Sequence, residues 1–113
     1  MQDHLSADGW SVEWSMDLES AKRAVAAGAH DVLLLDLRLP DGSGLDLLKL
    51  MEARGDTTPV IVMSAYDQLS DQMRAMNIGA IDYLVKPFAL SEMAVRVRKA
   101  ARRSRLIRMR NAG

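Results

Sequence analysis

The sequence has 113 residues, of which 49% are hydrophobic and 27% are charged, a composition typical of one globular domain with a single core. It contains no cysteine, which excludes disulfides, thiolate metal sites and cysteine nucleophiles. No apolar run approaches the roughly 20 residues of a membrane helix, and the N-terminus lacks the basic and apolar regions of a signal peptide. We therefore expect a cytoplasmic protein that makes no contact with a membrane.

The formal net charge is zero, but the two signs of charge are distributed unevenly. Residues 1–95 hold all 15 acidic residues and 7 of the basic ones, and residues 96–113 hold the other 8 basic residues. A basic segment of this kind favours nucleic acid or an anionic surface, and it is also typical of a solvated helix face that continues into a linker. The sequence predicts a domain over residues 1–107 and a basic linker or tail over residues 108–113.

Short strands and helices alternate along the chain. The pattern predicts, in order, a strand at 11–14 after an Asp8-Gly9 turn, a helix at 17–27, strand 32–35, helix 45–53, strand 60–63, a weaker helix 69–76, strand 83–85 and a last helix from 90 to about 107. The runs at 32–35 and 60–63 are continuously aliphatic, which is typical of strands buried on both faces under helices. This alternation predicts βαβ crossovers and a parallel sheet with helices on both sides.

Polar side chains end three successive predicted strands, namely Asp36, Ser64 and Lys86. In parallel sheets, ligands and reactive groups gather at the carboxyl ends of the strands. There a carboxylate can attack a phosphoryl group, a hydroxyl can donate a hydrogen bond to it, and an ammonium group can neutralise charge in the transition state. Each residue alone has an ordinary explanation as a turn or solvated residue. Their joint placement predicts a phosphoryl-transfer site.

Three segments resemble the response-regulator receiver family of two-component signalling. Residues 31–44 (DVLLLDLRLPDGSG) resemble its phosphorylation loop, residues 59–65 (PVIVMSA) its switch strand, and residues 79–88 (GAIDYLVKPF) its final strand. The resemblance covers residues 5–107. It implies a flavodoxin-like doubly wound α/β fold whose parallel sheet has the strand order 2-1-3-4-5.

The resemblance also implies a role for each candidate site residue. Asp36 would be the phosphoacceptor, which receives its phosphoryl group from a histidine kinase or a phosphotransfer protein. Ser64 would be the switch hydroxyl, Tyr83 the switch aromatic, and Lys86 the lysine that contacts the phosphoryl group and precedes a cis proline. A Mg²⁺ ion would be bound by Asp36 and the backbone carbonyl of Arg38.

The sequence departs from the family pattern at its beginning. Family members open with a buried central strand that ends in an acidic pair, whereas residues 1–7 match only the end of the first helix. We therefore expect a receiver with its first strand missing by truncation, weak Mg²⁺ binding, and slow or absent phosphorylation of Asp36. The missing strand is expected to leave a gap, and direct closure of that gap is expected to be unfavourable. We thus expect a homo-oligomer that exchanges or shares a sheet edge.

Two functional hypotheses follow. The leading one is a phosphoaspartate switch, a regulatory binding module and not an enzyme, that controls transcription through a DNA-binding output domain outside this chain. The alternative is a phospho-independent receiver that serves as a dimerisation or protein-interaction module. An aspartate-based phosphatase is disfavoured because Arg38 occupies the place of its second aspartate. On the surface of the last strand and helices, the residues at positions where winged-helix regulators place charged pairs are Asp82, Glu92, Arg96 and Arg103.

Overall fold

The computed structural model describes residues 2–7, 10–28, 30–65 and 67–112, with side chains described within residues 11–103 of these ranges. The predicted Asp8-Gly9 turn lies outside them. The elements are β1 (Gln2–Ala7), β2 (Trp10–Ser15), α1 (Leu18–Ala27), β3 (Val32–Asp36), β4 (Arg38–Leu39), β5 (Gly42–Ser43), α2 (Gly44–Ala53), β6 (Val60–Ala65), α3 (Leu69–Ile78), β7 (Asp82–Lys86) and α4 (Leu90–Ala112). Every strand and helix predicted from residue 11 onward is therefore present.

The main sheet has five strands in the order β1-β2-β3-β6-β7. Strands β2, β3, β6 and β7 are parallel, and β1 is antiparallel to β2. Strands β4 and β5 form a separate small hairpin. The predicted α/β class with a parallel sheet is confirmed. Among the described helices, none combines the length and apolarity needed to cross a bilayer.

Two cores lie on opposite faces of the sheet, because successive side chains of a strand point to opposite faces. Leu33 and Leu35 of β3 belong to the core that contains residues of α1 and α2. Val32 and Leu34 belong to the other core, which α4 covers with residues such as Val97. This two-sided burial explains the continuous aliphatic runs of β3 and β6.

Helix α1 has clear signals at both ends. The Asp17 side chain accepts a hydrogen bond from the Ser20 amide at 2.7 Å, which caps the first turn. Gly28 ends the helix in the left-handed conformation with φ of 66°. At the other end of the chain, α4 continues to Ala112, beyond the predicted end near residue 107. No glycine or proline interrupts that segment, and the division between domain and tail stays a prediction.

The expectation for residues 1–7 is wrong. They were expected to be the end of a helix, and residues 2–7 instead form β1, which pairs with β2. The expected gap in the sheet is also absent, because β2 pairs directly with β3, with Val12 opposite Val32 and Trp14 opposite Leu34. This pairing leaves the other edge of β2 open, and β1 satisfies its backbone groups as an antiparallel strand.

The direct pairing of β2 with β3 has a consequence for the side chain of Glu13. Glu13 is fully buried, and neither carboxylate oxygen has a hydrogen-bond partner among the described residues. Nε2 of His30 lies 3.7 Å from Oε1. The buried hydroxyl of Ser15, on the same strand, also lacks a partner in the described part of the chain. Strand β2 therefore places polar groups in a buried position that does not satisfy them.

Candidate functional site

Asp36, Ser64 and Lys86 lie at one edge of the sheet, as predicted. In the parallel register, Asp36 is opposite Met63 of β6, and Ala65 is opposite Lys86 of β7. All three residues are therefore at or next to the carboxyl ends of neighbouring strands. The sequence argument for a shared edge is confirmed by this placement.

The Asp36 carboxylate is bound on both oxygens. The Lys86 ammonium group donates a hydrogen bond to Oδ2, and the Arg38 backbone amide donates to Oδ1 at 3.0 Å. The Asp36 side chain is 19% exposed and that of Lys86 is 39% exposed, so the pair is partly buried but open to solvent. An ammonium group in this place can stabilise negative charge that forms on a group attached to Asp36. The peptide bond between Lys86 and Pro87 is cis, as the family resemblance implied.

The loop after Asp36 is held tightly against β6 and α2. The Leu37 amide donates to the Met63 carbonyl at 3.0 Å, and the Gly44 amide donates to the Leu37 carbonyl at 3.1 Å. A Cβ atom on Gly44 would lie 2.4 Å from the Asp36 carbonyl oxygen. Only a residue without a side chain fits there, which explains the glycine at the start of α2.

Asp41 connects this loop to α1, a role that the sequence analysis missed. Its carboxylate accepts hydrogen bonds from the Leu18 amide at 2.6 Å and the Glu19 amide at 3.1 Å. The hydrogen bond from the Leu18 amide is the main cause that lowers the pKa of Asp41. The Asp17 cap likewise has a lowered pKa, because Ser20 donates to it. The Pro-Asp-Gly turn signal marked the loop but could not identify a partner more than twenty residues away.

The Ser64 hydroxyl forms no hydrogen bond with Asp36 in the described part of the chain. Ser64 is 1% exposed, and its Oγ accepts a hydrogen bond from the Gln72 amide group at 2.6 Å. Gln72 belongs to α3 and is itself buried. The sequence analysis missed this contact because a glutamine in a weakly amphipathic helix carries no signal of its partner.

Tyr83 lies on the exposed side of β7 and is 40% exposed. The guanidinium carbon of Arg96 is 5.9 Å from the centre of its ring. Arg96 also donates to Asp82 at 2.6 Å and to Glu92 at 3.3 Å, and the bond to Asp82 raises the pKa of Arg96. Three of the four charged residues that were singled out on this surface therefore form one cluster. Arg103 lies further along α4, where it lines a groove with Arg96.

A groove of about 290 Å³ lies between α3 and β7. Large hydrophobic side chains of α3 are exposed near it, including Leu69 at 61% and Met73 at 60%. The residues that line the groove are Leu69, Gln72, Met73, Met76, Asn77 and Tyr83. Tyr83 and Gln72, which donates to Ser64, therefore line the same groove.

The described residues do not fit a strong Mg²⁺ site. They contain no group of three or more His, Asp or Glu side chains that could hold a metal ion. Asp36 is the acidic residue at the sheet edge, and both of its oxygens already accept hydrogen bonds. Mg²⁺ requires near-octahedral oxygen coordination, which Asp36 and a carbonyl of Arg38 would supply only in small part.

Comparison with known proteins defines the family. Residues 1–98 match the family described as the response regulator receiver domain. The chain is 41% identical over 100 residues to the response regulator protein PmrA of Pseudomonas aeruginosa, a match that covers 88% of this chain and 45% of PmrA. It is 37% identical over 108 residues to the transcriptional regulatory protein DltR of Streptococcus agalactiae, covering 96% of this chain and 48% of DltR. The chain belongs to the response-regulator receiver family, and it spans about half the length of the curated relatives it matches.

Solved structures give the same result for the fold. The receiver domain of the Francisella response regulator 1452 matches with a TM-score of 0.72 and 31% identity, over 80% of this chain and 74% of that one. NtrX from Brucella abortus matches with a TM-score of 0.77 and 26% identity, over 87% of this chain and 22% of NtrX. The predicted flavodoxin-like fold and the resemblance to receiver domains are both confirmed.

Proposed function

We propose that this receiver domain is a phosphoaspartate switch and that Asp36 is its phosphoacceptor. The observation that carries the proposal is the contact between the Asp36 carboxylate and the Lys86 ammonium group at the carboxyl edge of the sheet. The donor would be a phosphohistidine of a histidine kinase or of a phosphotransfer protein. A carboxylate oxygen of Asp36 attacks phosphorus, the bond from phosphorus to the histidine nitrogen breaks, and that nitrogen keeps the electron pair and takes a proton.

Lys86, Ser64 and Tyr83 would act around this acceptor. Lys86 neutralises charge on the phosphoryl oxygens, and Ser64 donates its hydroxyl hydrogen to one of them. Tyr83 is amphipathic and half-exposed, so it can pack inward or turn its hydroxyl to solvent as the state of the site changes. The domain would then work as a regulatory binding module in the cytoplasm, with no turnover of its own.

The phosphorylation of this chain should be slow. The relationship to the family implies a Mg²⁺ ion at the acceptor, and the described residues supply little oxygen coordination for one. Mg²⁺ affinity should therefore be weak, with Asp36 and the Arg38 carbonyl as its protein ligands. Chemistry at Asp36 would depend mainly on Lys86 and on the fixed backbone of the loop.

Transfer from a small labelled donor such as acetyl phosphate tests the proposal. We expect slow incorporation of one phosphoryl group per chain, located on the peptide that contains Asp36. The variant Asp36→Asn should take up no label, while Asp46→Asn, which changes an exposed carboxyl on α2, should behave as the wild type. Label that persists in Asp36→Asn, or its absence from the wild type at every donor concentration, would refute the phosphoacceptor assignment.

The second candidate function is a phospho-independent interaction module. It is favoured by the absence of an acidic cluster among the described residues and by the exposed apolar groove between α3 and β7. On this proposal the surface formed by α3, β7 and α4 binds a partner whether or not Asp36 is modified. Equal partner binding by the wild type and Asp36→Asn, each with and without the phosphodonor, would favour this function over the switch.

We also propose that the domain forms a homo-oligomer. The direct pairing of β2 with β3 removes the gap that made strand exchange the expected route, so the surface of α3, β7 and α4 becomes the favoured interface. Light scattering at micromolar concentration tests this, and a monomer at all concentrations would refute it.

By similarity to relatives named as transcriptional regulatory proteins, the whole protein would control transcription through a separate DNA-binding output domain.

A further inference from the structure

The first turns of helix α3 are attached to the sheet by polar contacts. Its two buried residues are Gln72 and Ala75. Ile78 packs against the core near the end of the helix, but the large apolar side chains nearer its start are exposed, with Leu69 61% exposed and Met73 60% exposed. A helix that buries so little apolar surface depends on specific hydrogen bonds for its position.

Those hydrogen bonds meet the switch strand β6 at its carboxyl end. The Gln72 side chain donates to the Ser64 hydroxyl at 2.6 Å, and the Gln68 side chain accepts from the Ala65 amide at 3.0 Å. Asp71, one turn after Gln68, has its carboxylate 3.7 Å from the guanidinium group of Arg38 in the acceptor loop. Residues of β6 and of the acceptor loop therefore hold the first turns of α3 in place.

We propose that Gln72 is a positioning residue that holds the Ser64 hydroxyl in its resting place and couples phosphorylation of Asp36 to the position of α3. This inference rests on the proposed function and adds a regulatory contact to the same site. Gln72 touches neither Asp36 nor a phosphoryl group, so it acts only through Ser64.

The coupling follows from the geometry of the contact. A phosphoryl group on Asp36 presents acceptor oxygens, and we infer that the Ser64 hydroxyl, which accepts from Gln72 and forms no hydrogen bond with Asp36 in this structure, swings towards them to donate its hydrogen. That movement lengthens the 2.6 Å bond and leaves the amide of Gln72 without its partner in a position that is only 3% exposed. An unsatisfied buried amide is costly, so α3 must shift until Gln72 is solvated. Gln72 lines the groove between α3 and β7 together with Tyr83, and this groove gives it a route to solvent.

A double-mutant cycle in the unphosphorylated protein tests the contact itself. The variants are Gln72→Leu, Ser64→Ala and the pair together, with Arg74→Leu as a control at an exposed position of α3. We expect each single change to speed amide hydrogen exchange in α3 about tenfold, and the double variant to exchange no faster than either one. Additive effects, or no effect of Gln72→Leu, would overturn the proposal.

Phosphorylation supplies a measurement that a merely structural role would not change. In the wild type, labelling of Asp36 should raise hydrogen exchange in α3, whereas in Gln72→Leu the same labelling should leave exchange as it was. An equal rise in both proteins would overturn the coupling. If the wild type takes no label, the proposed function fails, and the double-mutant cycle alone then decides whether Gln72 holds Ser64.

Discussion

The half of the sheet formed by β3, β6 and β7 and the half that contains β2 differ in how suitable their side chains are for burial. Strands β3 and β6 bury aliphatic side chains on both faces, β7 buries Leu84 on one face, and Asp36, Ser64 and Lys86 lie at or next to the carboxyl ends of these strands. Strand β2 also lies inside the sheet, but it buries the Glu13 carboxylate and the Ser15 hydroxyl without hydrogen-bond partners among the described residues. The half that carries Asp36, Ser64 and Lys86 is therefore the better packed one.

This difference teaches that the site does not depend on β2 for its geometry. The groups that hold Asp36 come from β7 and from its own loop, and those that hold Ser64 come from α3. Local pattern and tertiary position agree in β3 and β6, whereas they conflict at Glu13, and such conflicts lower stability. Strand β2 should consequently be the weaker part of the fold.

The largest effect is expected from a cavity in the well-packed half. Leu34 is fully buried in β3, and Leu34→Ala should lower the free energy of unfolding by about 2–5 kcal/mol. Urea denaturation gives the value. As a control, Leu69→Ala at an exposed position of α3 should change it by less than about 0.5 kcal/mol. A loss at Leu34 as small as that at Leu69 would contradict the tight packing of this half.

A somewhat smaller loss is expected at Gly44, where a methyl group would meet the Asp36 carbonyl. Gly44→Ala should cost about 1–3 kcal/mol and should also displace the acceptor loop, so labelling of Asp36 should fall. Gly55→Ala is the comparison, because it meets no atom within 4 Å and tests only the cost of a positive φ. Normal labelling in Gly44→Ala would show that the loop position does not matter for the site.

Glu13 offers a gain instead of a loss. Glu13→Leu removes a buried carboxylate that accepts no hydrogen bond in the described part of the chain and lies 3.7 Å from the His30 ring, beyond hydrogen-bond distance, so it should raise the free energy of unfolding by about 1–3 kcal/mol. Glu52→Leu, at an exposed position of α2, controls for added hydrophobicity. Should Glu13→Leu destabilise the protein, the carboxylate must have a favourable role, and the contrast between the two halves would be lost.

The smallest expected effect is the pH dependence of Asp41, which joins the acceptor loop to α1. Its pKa is lowered in the folded protein, so its contribution is present above the unfolded value of 3.8 and is lost as the pH falls through the folded value. Asp41→Asn should therefore reduce the acid-induced fall in Tm, with Asp46→Asn as control. If Tm fell with decreasing pH by the same amount in Asp41→Asn as in the wild type, the contacts with Leu18 and Glu19 would contribute no stability.

Most of the sheet could be predicted from the sequence because its signals are local. The aliphatic runs of β3 and β6 identify buried strands, and Gly28 marks the end of α1. The shared edge of Asp36, Ser64 and Lys86 follows from parallel topology alone. By contrast, the contacts of Gln72 and Asp41 join distant parts of the chain and depend on how helices pack. Direct pairing of β2 with β3 was expected to be unfavourable, and the structure shows it nonetheless, with Glu13 buried in the paired strand.

Native-state hydrogen exchange measures the contrast between the two halves most directly. Amides of β6 should exchange only through global unfolding, while those of β2 should open at a lower free energy and exchange at least about tenfold faster than their neighbours in β3. Glu13→Leu should slow the amide exchange of β2. The amides of β6 should still exchange only through global unfolding, at the rate that the free energy of unfolding of the variant sets. Equal protection of β2 and β6 in the wild type would contradict the view that the site-bearing strands form the more stable half.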